Sequence, residues 1–305
     1  MTRLTVWLSP WEHYDSPEQI AEALANVHLP GHTTEVLIPT VYDDTPQYWL
    51  RNNLGEGLKV SNPDSAAGLR QQFRDLGLEC GGWSVPRGTG NAGSEGAIHG
   101  SFANVFDHFN LNWEEGWQDF WAREGAAPVN QFLEGYWNSV VDPNQLTGIT
   151  FVPNTAMLGA ATPQETAAWV GGSEYVAIET YLPGDPGLDP AMGRIRMGRE
   201  LEQAGFPEFP VVNMLEHGDL PTLAAQFTHP TYGIQIWTVG AAIAHNWPIV
   251  EPPPDPVTPP ELDDVLQALA YLANDVTGPL ANHPDPAVSA ASAEVTRVAQ
   301  QYGAI

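Results

Sequence analysis

The order of the apolar segments restricts the fold more than any single motif. LTVWLSP (4–10), EVLIPTVY (35–42), CGGWSVP (80–86), FNLNW (109–113), LTGITFVPN (146–154), EYVAIETYL (174–182), FPVVNMLE (209–216) and TYGIQIWTVG (231–240) are short and rich in β-branched and aromatic residues, as strands are. Helical patterns stand between them. SPEQIAEALANVH (16–28) offers Ser16 as a cap with Pro17 behind it, and SAAGLRQQFRDLGL (65–78) puts Leu69, Phe73 and Leu76 on one face. AIHGSFANVFDHF (97–109), the stretch 117–140, TPQETAAWVG (162–171) with a Thr/Glu capping box, 189–205 ending at glycine, and 219–228 complete the set. Eight strands alternating with seven helices before residue 241 imply parallel strands joined by crossovers. The matching α/β architecture is the (β/α)8, or TIM, barrel. A doubly wound sheet fits less well. It usually carries a Gly-rich phosphate loop after its first strand, and LSPWEHYD stands there instead.

The barrel is expected to occupy residues 1–250. WPIVEPPPDPVTPPE (247–261) follows, with seven prolines in fifteen residues, and reads as a stiff extended connection. ELDDVLQALAYLANDV (261–276) has helical spacing and is expected to be the eighth barrel helix. The last helix, from Pro286 to about Tyr302, is the candidate for docking on a partner, so that 251–305 forms a C-terminal helical segment.

Charge narrows the partners. The chain has 37 acidic residues against 11 Lys and Arg, with Lys59 the sole lysine and a net charge of -26. Clustered bases are what phosphate backbones and anionic membrane surfaces require, so neither nucleic acid nor a membrane is an expected partner. A neutral glycan fits better, with eleven tryptophans available for stacking on sugar faces. One cysteine, Cys80, excludes an internal disulfide and reads as buried packing. No HExxH, GxSxG or P-loop occurs. His13 with Asp15, and Asp43 with Asp44, are the weak candidates for a hard cation, and no metal or other cofactor is expected.

Active sites of such barrels lie at the C-terminal ends of the strands, and alternate side chains point inward. In the fourth strand Phe109, Leu111 and Trp113 share the helix-facing side. Asn112 and Glu114 then point inward, while Glu115 points away. In the sixth, Val176 and Ile178 face the helices, leaving Ala177, Glu179 and Tyr181 inside. The seventh ends at Glu216 and His217, with ambiguous parity. Asn154, Trp237, Trp83 and Trp11 complete the expected rim. Glycoside hydrolysis needs two carboxyl groups, one to protonate the leaving oxygen and one to attack or to activate water. Glu114 with Glu216, or Glu114 with Glu179, would supply them, with Trp83, Trp237, Trp11 and Tyr181 as sugar platforms and Asn112 and Asn154 as polar contacts.

GGWSVPRG followed by FNLNWEEGW resembles a strand-three and strand-four pattern of glycoside-hydrolase-like barrels found among actinobacterial phage tail proteins and lysins. IQIWTVG is similar to the Trp-bearing last strand of lysozyme-type and chitinase-like barrels. Asn112-Trp113-Glu114 resembles a loosened form of the Asn-Glu pair that ends strand four in a large retaining clan. The resemblance implies Glu114 as acid/base and Glu216 as nucleophile. Asn and Glu are not adjacent here, the chitinase DxxDxDxE run is absent, and Ser9 replaces the strand-one Asp of the lysozyme-type family. Two functions stay open: a hydrolase of bacterial surface or cell-wall polysaccharide carried on a phage tail, or a non-catalytic virion protein using the barrel for receptor binding or assembly, with other virion proteins docking on the C-terminal helices. MTRLTVWLSPW has no secretory pattern, so the expected placement is the virion or the cell exterior without a classical signal, after synthesis in the cytoplasm.

Overall fold

Eight parallel strands close on themselves in the computed structural model, which describes residues 2–46, 53–87, 91–113, 126–142, 144–151, 162–185, 188–248 and 286–301. The strands are β1 (Thr2–Trp7), β2 (His32–Tyr42), β3 (Glu79–Val85), β4 (His108–Asn112), β5 (Leu146–Phe151), β6 (Tyr175–Glu179), β7 (Val211–Leu215) and β8 (Ile234–Trp237). Each pairs in parallel with its sequence neighbours, and β1 pairs with both β2 and β8, which closes the barrel. A two-residue strand, Thr45–Pro46, folds back antiparallel on the end of β2. The fold is therefore the (β/α)8 barrel expected from the alternation.

The helices are α1 (Pro17–Leu24), α2 (Pro63–Asp75), α3 (Ala92–Ala103), α4 (Ala126–Ser139), α5 (Pro163–Gly171), α6 (Pro190–Ala204), α7 (Leu220–Phe227), α8 (Val239–Ile243) and α9 (Pro286–Gln301). Their ends are set locally. Asn62 and Thr162 make capping boxes with Ser65 and Glu165, and α6 runs from an Asp189 cap to Gly205 at φ 90°. Leu69 and Phe73 are buried as their spacing predicts, whereas Leu76, just past the end of α2, is exposed. Val239 and Gly240, read as the end of the last strand, instead begin α8, which starts where the Thr238 side chain accepts from Ala241 N–H.

The chain divides into two compact units, Met1–Ile249 and Val250–Ile305. In the second, α9 carries an Arg297–Glu294 ion pair at 2.6 Å and buries Ser292 and Ala299. The expected helix 261–276 and most of the proline-rich connection lie outside the described residues.

Close approach of α3 and α4 depends on glycine. A Cβ on Gly96 would overlap the Phe132 carbonyl, one on Gly100 the Tyr136 carbonyl, and one on Gly135 the Gly93 carbonyl. All three partners are backbone, which cannot move aside as a side chain can. Gly96→Ala is therefore expected to lower stability by about 1–3 kcal/mol, although alanine gains up to about 1 kcal/mol in helix propensity. A urea midpoint equal to or above that of the parent would show that the two helices separate without cost.

Candidate functional site

Two layers of side chains fill the barrel, and they differ in chemistry. The lower layer is polar. Glu35 on β2 and His108 on β4 meet at 2.7 Å, both buried, and His108 reaches the Tyr175 hydroxyl on β6 at 2.6 Å. Gln235 on β8 and Asn110 on β4 reach the same hydroxyl at 2.8 and 3.0 Å. The Trp7 indole N–H donates to Gln235 Oε1 at 3.0 Å, so the Gln235 amide N–H points at Tyr175. Asn110 Oδ1 accepts from Thr150, so its amide also donates to Tyr175. Both lone pairs of the Tyr175 oxygen are then used, and its proton goes to His108 Nε2. His108 keeps the Nδ1 proton and donates it to Glu35. The Thr5 hydroxyl also donates to Glu35, and Arg3 lies 3.6 Å away. Burial works against the Glu35 carboxylate, but His108, Arg3 and Thr5 outweigh it and hold its pKa below the ordinary range.

The upper layer is aromatic. Trp7, Trp83 and Trp237, from β1, β3 and β8, lie with ring centroids 4.9, 5.3 and 5.6 Å apart. Trp83 is 1% exposed and gives its indole N–H to the Leu8 carbonyl at 3.2 Å. It packs beneath the mouth and cannot serve as the sugar platform expected of it. Asn112 is inward, as its parity predicts, but also buried. Trp237 is half-buried.

The mouth itself carries the carboxylates. Val212 packs inside with Tyr175 and Ala177, which settles the ambiguous parity of β7. Met214 follows Val212 inward and Glu216 stands just past the strand end, while Asn213 faces the helices and bonds Arg194, Thr180 and Pro190. Glu179 ends β6 on its inward row and pairs in register with Met214. Glu216 stands one residue past the end of β7, and strand rise and spacing continued to it would give a Cα separation of about 8 Å from Glu179. Tyr181 stands beside them, its hydroxyl 3.6 Å from Met214 Sδ and its carbonyl accepting His217 N–H at 3.1 Å. Burial raises the Glu216 pKa above the usual carboxylate range, with His217, at 3.3 Å, opposing. Glu114, Glu115 and Asn154 lie outside the described residues.

Glu12, on the loop after β1, is a further carboxylate at the mouth. It accepts from Ser9 N–H at 2.9 Å, Val239 N–H at 3.3 Å and Gly240 N–H at 2.6 Å, tying the β1 loop to the start of α8. Burial raises its pKa despite these donors. In barrels of this fold the loops after the last strands often receive a phosphate. Here N–H groups of that segment are given to the protein's own carboxylate. The Arg87 guanidinium, at the end of β3, stacks over the Tyr42 ring at 5.2 Å and bonds its hydroxyl. Among the described residues no three His, Cys, Asp or Glu side chains gather as metal ligands, so His13, Asp15, Asp43 and Asp44 form no such set.

Asp43, just past β2, holds φ at 60° although it is not glycine. Its carbonyl accepts from His99 Nε2 at 2.7 Å, which leaves His99 Nδ1 to accept the Ser84 hydroxyl at 2.8 Å. Burial pushes the His99 imidazole down to about 4. The unfolded chain takes up this proton below about pH 6.5 and the native state resists it, so this contribution is intact above that pH and lost between there and about pH 4. His99→Gln is expected to be less stable at pH 7 but to lose about 3 kcal/mol less than the parent on going from pH 7 to 4. Parallel pH curves for the two proteins would refute this.

No family model matches the sequence, and no curated protein matches it. Among solved structures the chain is similar to a GH18 chitinase from Pseudoalteromonas aurantia, at 11% identity over 80% of this chain and 98% of that one with a TM-score of 0.45. It is similar to active domain 2 of a chitinase from Pyrococcus furiosus, at 12% identity over 74% and 83% with a TM-score of 0.48. It is equally similar to a 2,3-dimethylmalate lyase of the PEP mutase/isocitrate lyase superfamily, at 10% identity over 99% of this chain and 93% of that one with a TM-score of 0.44. At these identities the likeness is one of fold, and the chemistry rests on the residues at the mouth.

Proposed function

We propose that this barrel acts on a neutral polysaccharide of a bacterial surface or cell wall and hydrolyses it with two carboxylates, Glu216 as the acid and Glu179 as its partner. One observation carries the reading: Glu179 ends β6 in register with Met214, and Glu216 follows Met214 by two residues just past the end of adjacent β7, which at strand spacing puts their backbones about 8 Å apart. That spacing lets the carboxyl groups reach the roughly 5–9.5 Å that retaining and inverting hydrolysis require. The raised pKa of Glu216 suits an acid, which must enter the reaction protonated. Neutrality of the substrate is supported by Glu12 on the N–H groups after β8, by the engagement of Arg87 with Tyr42, and by the net charge of -26. The setting proposed with it, a phage tail at a bacterial surface, rests on the resemblance of the strand-three and strand-four motifs. The test is release of reducing ends from neutral polysaccharides by the parent, Glu216→Gln and Glu179→Gln. Equal release by all three would end the two-carboxylate reading, and polysaccharide binding without any release would favour the non-catalytic module.

A further inference from the structure

Among the described tryptophans Trp11 alone is exposed, at 53%, on the loop that follows β1 at the mouth. A single exposed apolar side chain needs no explanation by itself. The backbone beneath this one is held from both sides, which does. Ser9 N–H goes to Glu12 at 2.9 Å, and Trp11 N–H to the Ser9 hydroxyl at 3.3 Å. Asn53 then clamps the loop from the β2 side, its N–H on the Pro10 carbonyl at 2.8 Å and its amide on the Trp11 carbonyl at 2.9 Å. Gly55 N–H reaches the Tyr14 carbonyl at 2.8 Å, and a Cβ at Gly55 would stand 2.6 Å from Asp15 Cα. Leu54 and Leu58 bury themselves in the core and anchor this brace. From the β8 side Glu12 binds Val239 and Gly240.

An exposed indole on a flexible loop would lose its binding energy to the ordering of that loop. Bracing removes the loss in advance, and indole is rigid and flat enough to offer one face to a ring. We infer that Trp11 is a preformed stacking platform for a sugar ring outside the cleaved bond, with Asn53 and Glu12 as its positioning residues. The substrate is then an oligosaccharide or polysaccharide chain, not a single glycoside. This rests on the reading of the mouth as a glycan site.

The experiment is affinity electrophoresis of the full chain in gels containing a soluble neutral β-glucan, mannan or galactan. In the gel that retards the parent, Trp11→Ala is expected to weaken binding about tenfold. Trp11→Phe should retain most of it, and Asn53→Ala should weaken it several-fold with the indole intact. Val141, 84% exposed on the connection between α4 and β5, supplies the control, and Val141→Ala should bind as the parent does. A hydrolysis assay separates platform from scaffold: Trp11→Ala should raise KM for the polymer far more than it lowers kcat, and Val141→Ala should leave both as in the parent. Retardation of Trp11→Ala equal to that of the parent, or an equal loss in Val141→Ala, overturns the platform even if the parent hydrolyses the polymer. Trp11-dependent retardation without hydrolysis keeps the platform and overturns the two-carboxylate reaction. A parent retarded in none of the gels overturns both.

Discussion

Glu216→Gln is expected to cut hydrolysis of the neutral polymer by about 100- to 10,000-fold in kcat, with KM nearly unchanged. Glutamine fills the same volume beside His217 and Tyr181, so the mouth keeps its shape. An amide cannot hand a proton to a leaving oxygen, and only that step is lost. The pH profile carries the sign. Burial raises the Glu216 pKa, so the protonated form persists to higher pH than an ordinary glutamate allows. Parent activity should fall as pH rises through that value, and the residual activity of the variant should not show this limb. A substrate whose leaving group departs without protonation should suffer less from the substitution than the polymer does. Glu114, the acid expected from the fourth strand, belongs in the same assay. If Glu114→Gln removes the alkaline limb and Glu216→Gln keeps it, the acid sits on strand four and Glu216 is at most its partner.

Alternation made the barrel legible, because crossovers between parallel strands leave few other solutions. Parity was legible where one face was plainly apolar, as in Phe109, Leu111 and Trp113 or Val176 and Ile178. It failed in VVNMLE for a physical reason. Val211 and Val212 are both apolar, and Asn213 faces the helices because Arg194, Thr180 and the Pro190 carbonyl receive it there. The polar core was illegible as well. Glu35 has the form of a solvated charge at a strand start, and His108 has that of a helix end. Their partners lie 30 and 73 residues from Glu35, and no local pattern announces them. Trp83 and Trp11 show the same limit from the other side. Both are tryptophans near strand ends, and only packing decides that one is buried and the other presented.

The second large effect is expected at the base of the barrel. His108→Ala should lower unfolding free energy by about 3–5 kcal/mol, a large share of the roughly 5–15 kcal/mol that holds a domain folded. The imidazole does two jobs in one chain, accepting from Tyr175 and donating to Glu35. Its removal leaves a buried carboxylate with only Thr5 and the partly exposed Arg3 at 3.6 Å, and a buried phenol proton without its acceptor. Tyr175→Phe should cost less, about 1–3 kcal/mol, because His108 can still serve Glu35. If the bonds form one relay, the two losses overlap: once His108 is gone, removing the Tyr175 hydroxyl also removes an unsatisfied proton. The double variant should therefore be more stable than the sum of the single losses predicts, by about 1 kcal/mol or more. Chemical denaturation of the four proteins measures this directly. Strict additivity would mean that Glu35, His108 and Tyr175 act as separate contacts. Coupling would mean that the Glu35 base and the Trp7 layer, joined through Tyr175 and Gln235, stand or fall together, so that the mouth inherits its rigidity from the buried charge beneath it.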